Sequence, residues 1–184
     1  MSRALSTHPE AIPVFALARD WLAVVDETRE GTRDVLRFVA VWMAFSALYG
    51  LISKNPQERQ QLEAFTNVNH VRSFHAELLS RDDTYLAAAR TLCGGELFNH
   101  WRRASGHETL APCDESNLSA LTLRILVIRG NLFHGHKSPT VKRDIELVRN
   151  AFIVVERLVR EFVEPDRLLP APSQGKQAPA RSPR

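Results

Sequence analysis

A short stretch near the end of the chain, IRGNLFHGHKSP at residues 128–139, combines an arginine, an asparagine and two histidines where an apolar pattern ends. Imidazole titrates near pH 6.5, so a histidine such as His134 can exchange a proton at neutral pH. The Arg129 guanidinium stays charged and offers a planar fork that suits phosphate, and Asn131 adds a donor and an acceptor. These groups favour metal-free chemistry on a phosphodiester, in which a base activates a 2′-hydroxyl and a cation stabilises the phosphorane.

The spacing of these side chains constrains how they meet. At 100° per residue, Arg129 and His134 lie about 140° apart around an ideal helix and roughly 7.5 Å apart along it. Asn131 and His134, three positions apart, share a face. Arg129 must therefore reach round, or the helix must loosen near Gly130, or the partner groups come from a second copy. A two-fold dimer would supply both an acid and a base histidine.

A simpler interpretation of Arg129 and His134 is helix capping. Cations near a helix C-terminus satisfy loose carbonyls and interact with the helix dipole, contributing about 0.3–1 kcal/mol each. The neighbouring His136 and Lys137 are either solvated loop residues or RNA contacts. One or two histidines without nearby carboxylates do not form a metal site, so we predict neither a metal nor a cofactor.

The elements that must position these residues repeat at helical period. A first helix is predicted around residues 14–25, and a second from about Thr32 to Gly50 or soon after. Residues 56–90 predict further helices, with a break near Asp82 and Asp83. Two strong apolar stripes then follow, which we expect to pack antiparallel; they are Leu118, Leu121, Ile125, Ile128, Leu132 and Ile145, Val148, Phe152, Val155, Val159, Phe162.

Other positions carry simpler expectations. Glycines and a proline interrupt residues 93–116, which predicts a loop or irregular insertion and no strand. Arg124 falls off its helix's apolar face, so we expect it on the surface. His70 and His75 are expected to be ordinary surface or core histidines. The spacing of the aromatic residues of the second helix favours core or dimer contacts; these are Trp42, Phe45 and Tyr49.

The predicted fold class is therefore an all-α, up-and-down bundle of about five or six helices spanning residues 1–164. A Pro-, Ala- and Gln-rich tail at residues 165–184 is predicted to be disordered. The net charge is +3. The tail region holds four cationic residues against Asp166 alone, 4 − 1 = +3, so the helical part is near neutral. Global charge therefore does not argue for nucleic acid.

Localisation follows from what the sequence lacks. The N-terminus has no apolar signal-peptide core. The longest uncharged run, residues 38–53, is short for a membrane span of about 20 residues and is predicted to be a buried helix. We expect a cytoplasmic protein without a membrane partner. Cys93 and Cys113 are too few for a metal cage or a disulfide framework, although they could form a single bridge in an oxidising compartment.

The motif RGNLFH, at the end of the penultimate long helix, resembles the R-x4–6-H motif of HEPN (higher eukaryotes and prokaryotes nucleotide-binding) domains. VWMAFSALYG, at residues 41–50, is similar to the aromatic early helix of several prokaryotic branches of that family. The resemblance covers about residues 33–163. It implies a helical bundle that dimerises, with paired motifs forming a composite, metal-independent RNase site at the interface.

Carried over by position, the resemblance makes Arg129 the phosphate-binding arginine and His134 the catalytic histidine, with Asn131 orienting one of them. RNA would be the substrate. Many catalytic members are toxins paired with an antitoxin protein or effectors of phage defence. Many active members also carry a polar residue directly after the arginine, whereas this chain has Gly130. That departure favours the alternative, a non-catalytic helical interaction or nucleotide-binding module.

Overall fold

The computed structural model describes residues 11–27, 34–99, 108–134 and 141–163. The predicted tail at 165–184 and the candidate RNA contacts His136 and Lys137 lie outside the described residues. Within the described ranges, seven helices accompany one small sheet. The elements are α1 (Ala11–Glu27), α2 (Asp34–Ile52), α3 (Glu58–Thr66), α4 (Asn69–Arg81), α5 (Asp83–Cys93), β1 (Leu97–Asn99), β2 (Glu108–Leu110), α6 (Leu118–Phe133) and α7 (Lys142–Val163).

The chain is mostly helical, as its apolar periodicity predicts. The described part has more helices than the five or six expected, because residues 58–93 divide into three short ones. The predicted break near Asp82 is confirmed: α4 ends at Arg81, and the Asp82 carboxylate accepts a hydrogen bond from Tyr85 N at 2.9 Å, capping α5. An N-cap aspartate of this kind satisfies an otherwise unpaired backbone donor.

Helix α2 lies at the centre of the fold and packs against both α1 and α7. Its aromatic residues Trp42, Phe45 and Tyr49 are buried, which confirms them as core residues. Their rings meet edge to face, the arrangement that aromatic quadrupoles favour. By length and composition α2 could span a membrane, but half of its apolar window is buried inside the fold, as in the core helix of a globular protein.

The segment after α5 corrects two expectations. Although no strand was predicted, β1 and β2 pair antiparallel, with Leu97 opposite Leu110. Arg124 was expected on the surface but is only 4% exposed. Its guanidinium donates to the carbonyl oxygens of Leu92 at 2.5 Å and Ala111 at 2.6 Å. Two further carbonyls, those of Gly95 and Leu110, also accept from it.

His75, one of the two histidines expected to be ordinary, is a buried core residue, 2% exposed. Its Nδ1 lies 2.8 Å from the Tyr85 hydroxyl and its Nε2 lies 3.0 Å from Glu115 O. Because a carbonyl only accepts, Nε2 carries the proton and Nδ1 accepts from the tyrosine. Arg124 and His75 together fasten the 92–115 segment to the helices through its backbone.

Candidate functional site

Arg129 and His134 line the same groove, which has a volume of about 460 Å³. The groove lies between the C-terminal part of α6, the start of α3 and the small sheet. Its other lining residues are Gln57, Glu58, Arg59, Asn99, Leu110, Leu123, Leu126, Val127 and Gly130. One chain therefore brings together the two residues that sequence reasoning placed on different faces of an ideal helix.

The end of α6 explains how this happens. The helix stops at Phe133, and His134 is the C-cap residue, with φ −90° and ψ 12°. Its backbone N–H donates to Gly130 O at 3.0 Å, while its side chain is exposed. Arg129 lies five residues earlier and is still helical. Both residues line the groove although an ideal helix would place them about 140° apart.

The Arg129 guanidinium is held between a carboxylate and two aromatic rings. Its Nη2 donates to Glu58 Oε2 in an ion pair. Its Cζ lies 5.2 Å from the ring centroid of Trp42 and 5.5 Å from that of Phe133, within cation–π range. The side chain is 18% exposed. Its Nε is buried and has no hydrogen-bond partner among the described residues. Arg129 therefore retains a donor that its carboxylate does not use.

Glu58 and Tyr49 complete the surroundings of the arginine. Sequence reasoning gave Glu58 no role at the site and indicated Tyr49 only as a core or dimer contact. The Tyr49 hydroxyl donates to Glu58 Oε1 at 2.5 Å. Burial, reinforced by the hydrogen bond and the charge of Glu58, raises the pKa of Tyr49, so the hydroxyl remains a donor. Glu58 is the first residue of α3, where the helix dipole favours an anion. Residues 56–90 predicted only further helices, so no pattern in the sequence indicated a contact between Glu58 and Arg129.

Asn131 does not line the groove with the other two motif residues. It is completely buried, and its Nδ2 donates to Phe98 O at 2.7 Å. This bond holds strand β1 against α6. The position gives Asn131 a role in anchoring the sheet, and its predicted role of orienting Arg129 or His134 stays a prediction.

The groove is mixed in charge and in polarity. Arg59 and Arg129 supply two cations, and Glu58 supplies an anion between the helices. Leu123, Leu126 and other apolar residues line the rest. Within the described residues, no group of three or more His, Cys, Asp or Glu side chains lies close enough together to hold a metal ion. The groove thus combines a guanidinium that is paired with a carboxylate and an exposed imidazole.

Comparison with known proteins adds no relative: no family model, curated protein or solved structure matches the chain.

Proposed function

We propose that this protein is a metal-independent endoribonuclease with a HEPN-like helical fold. The observation that carries the proposal is the position of Arg129 and His134 on one groove of one chain. A guanidinium on a groove suits an RNA phosphate, and an exposed imidazole on the same groove can move a proton. Arg59, on the same groove, offers a second contact for the RNA backbone.

In the proposed reaction, His134 takes the proton of a ribose 2′-hydroxyl. The 2′-oxygen then attacks the adjacent phosphorus, and the bond from phosphorus to the 5′-oxygen breaks. A protonated imidazole or water returns a proton to that 5′-oxygen. The products are a 2′,3′-cyclic phosphate and a 5′-hydroxyl. Arg129 stabilises the charge that gathers on the phosphorane oxygens, a contribution that typically changes rates by about 10²–10³-fold.

For Arg129 to bind the phosphate, its ion pair with Glu58 must break, or the guanidinium must bind the carboxylate and the phosphate at the same time. Glu58 is 35% exposed, so water can hydrate its carboxylate once an RNA phosphate replaces that carboxylate on Arg129. The Tyr49 hydroxyl remains bonded to the carboxylate and keeps it from leaving the groove wall. Glu58 thus occupies the phosphate-binding side of Arg129 in the free protein.

The proposed active form is a homodimer, in which a second copy supplies a further histidine. Two exposed aromatic residues near the motif support this step. Phe133, 49% exposed, lies next to His134, and Phe98, 44% exposed, belongs to the strand that Asn131 anchors. Such rings in water favour association. Sedimentation equilibrium should give twice the chain mass of 20.8 kDa; a monomer at micromolar concentration would contradict the dimer alone.

The central experiment measures cleavage of a single-stranded RNA in excess EDTA. We expect cleavage to persist and to leave cyclic phosphate ends. His134→Ala and Arg129→Met should each lower the rate by 10² or more. Arg81→Met, which removes a cation of a surface pair on α4, is the matched control and should leave the rate unchanged. Cleavage that needs added magnesium, or that survives His134→Ala, would refute the mechanism.

The proposed cellular role is that of a toxin or phage-defence effector, held in check by an antitoxin protein. Expression of the chain in a bacterial host should then stop growth, and His134→Ala should relieve the arrest. Equal growth inhibition by both proteins would contradict a toxicity that depends on RNA cleavage.

One observation favours the alternative, a non-catalytic helical module that binds a nucleotide or a protein. Glu58 neutralises Arg129, and the arginine is mostly covered by Trp42 and Phe133. A guanidinium in that setting can serve as a structural ion pair. The His134→Ala experiment separates the two functions. If the parent protein binds RNA or a nucleotide without cleaving it, and the variant binds equally well, the module is the better description.

A further inference from the structure

The two cysteines of the chain lie side by side, although they are 20 positions apart. The sulfur atoms of Cys93 and Cys113 are 2.9 Å apart. Cys93 is the last residue of α5, and Cys113 follows strand β2. The Cys113 N–H donates to Cys93 O at 3.1 Å, so the two backbones also run next to each other. A disulfide needs a sulfur separation of about 2.05 Å, which a small side-chain rotation can supply.

Two side chains, Arg124 and His75, hold the backbone around the pair. Arg124 donates to Leu92 O, next to Cys93, and to Ala111 O, two residues before Cys113. His75 bonds to Glu115 O, two residues after it. Both cysteines are therefore presented by a backbone that is held in place in the thiol form. Oxidation would add a bond to an existing arrangement without rearranging the fold.

The two thiols differ in the way that a redox pair requires. Cys113 is partly exposed and can be reached by a small reagent, whereas Cys93 is 2% exposed. Burial and the contact with Cys113 raise the pKa of the Cys93 thiol to about 12. A buried, protonated thiol reacts slowly with external reagents. The exposed thiol is thus the entry point, and the buried thiol is the resolving partner.

We propose that Cys93 and Cys113 are a redox site, at which a low-molecular-weight disulfide oxidises the pair to an intramolecular disulfide. The Cys113 thiolate attacks one sulfur of the reagent, forming a mixed disulfide and releasing one thiol. Cys93 loses its proton and attacks the Cys113 sulfur, which releases the second thiol. The protein loses two electrons and two protons, and the reagent gains both. An excess of external thiol reverses both steps.

The disulfide would join the end of α5 to the segment that follows β2. Strands β1 and β2 lie between the two cysteines in sequence, and Asn99 and Leu110 of these strands line the groove. Oxidation would therefore restrict the movement of the two strands that line one side of the groove. A cross-link over a loop of this length restricts the unfolded chain, and we expect it to raise the melting temperature by roughly 6 to 12 °C. This consequence holds whether or not the groove cleaves RNA.

The experiment exposes the full chain to mixtures of oxidised and reduced glutathione and counts free thiols after denaturation with a maleimide mass tag. The number of free thiols per chain should fall from two to zero, and mass spectrometry should detect a disulfide-linked peptide pair that contains Cys93 and Cys113. The melting temperature should rise in parallel and return after reduction.

Two variants make the result specific. Cys93→Ala leaves only the exposed thiol, so one glutathione should remain attached as a mixed disulfide. Cys113→Ala leaves only the buried thiol, which should stay free. Melting curves establish that each variant is folded. The proposal is overturned if the parent chain keeps two thiols under conditions that glutathionylate Cys93→Ala, or if its disulfides form between chains.

Discussion

Two regions of the molecule each combine an arginine of α6 with a histidine, yet they differ in burial and in bonding partners. In the first, which we call the buried anchor, Arg124 and His75 bond to backbone carbonyls and are nearly inaccessible. In the second, the groove, Arg129 meets a partly exposed carboxylate and His134 faces solvent. The two arginines are five positions apart on one helix.

The difference lies in the partners. Backbone carbonyls cannot leave, so the bonds of the buried anchor are permanent while the protein is folded. The Glu58 carboxylate is 35% exposed and already in contact with water, so under the proposed function the guanidinium of Arg129 can exchange it for an RNA phosphate. Residue type alone does not identify a site: burial and the kind of acceptor decide whether an arginine holds a fold together or binds a ligand.

The largest effect should come from Arg124→Met. The change removes the donor from the carbonyl of Leu92, a buried residue, and from that of Ala111, which is exposed and can bond to water instead. An unsatisfied buried carbonyl costs about 1–3 kcal/mol, so we expect the free energy of unfolding in urea to fall by roughly 2–3 kcal/mol. Arg81→Met, which removes an exposed pair with Glu77, is the control and should cost only about 0.3–0.5 kcal/mol. Equal losses would erase the proposed distinction between buried and exposed arginines.

The histidine of the buried anchor should make stability depend on pH. Burial lowers the pKa of His75, so the folded protein binds a proton there less readily than the unfolded chain. As pH falls below about 6.5, the unfolded chain takes up that proton and stability decreases. The raised pKa of Glu161, which is also due to burial, acts in the opposite sense and cannot produce this loss.

Melting temperatures of the parent protein and His75→Gln between pH 7.5 and 5.5 check this prediction. The parent should lose stability towards the acid end, and the variant, which starts from a lower melting temperature, should lose less. Parallel curves would show that His75 does not carry the effect.

The groove arginine should matter far less to stability than the anchor arginine does. Arg129→Met removes an ion pair and two cation–π contacts. Glu58 still accepts a hydrogen bond from the Tyr49 hydroxyl and remains in contact with water. We expect a loss of about 1 kcal/mol in the urea experiment, together with the loss of RNA cleavage. A stability loss as large as that of Arg124→Met would indicate that Arg129 is structural, in favour of the non-catalytic alternative.

Much of the helical fold could be predicted, because each long helix buries a continuous stripe against neighbours. Ile125 and Ile128 are completely buried on the face that the spacing indicates. The strands could not be predicted, because segments of three residues are too short to show alternation. Arg124 was misplaced because the helical wheel describes only its own helix. Its acceptors belong to the 92–111 segment, whose approach depends on tertiary packing.

The candidate site was predictable only in part. The types of Arg129 and His134 indicated phosphate chemistry, and the structure brings them to one groove. Glu58 lies 71 positions from Arg129, and no pattern in the sequence joins them. The role predicted for Asn131, orienting Arg129 or His134, stays a prediction, whereas its structural role was not indicated by the sequence. Asn131 is the fully buried donor that holds β1 to α6.

The smallest expected effect tests whether the ion pair of the groove is exchangeable. If Glu58 occupies the phosphate side of Arg129, Glu58→Gln should strengthen RNA binding, since the competing charge is gone and the amide oxygen can still accept from Tyr49. A partly exposed pair is worth about 0.2–1 kcal/mol, which corresponds to at most about a five-fold lower Kd.

The measurement uses a short single-stranded RNA at fixed salt and compares His134→Ala with the same variant carrying Glu58→Gln, so that cleavage does not interfere. Glu77→Gln in the same background is the matched control: it removes a carboxylate that pairs with Arg81, which is not among the groove residues, and should leave the Kd unchanged. Weaker binding after Glu58→Gln would mean that the carboxylate orients Arg129 for RNA and does not compete with it. The groove would then resemble the buried anchor in depending on a fixed partner.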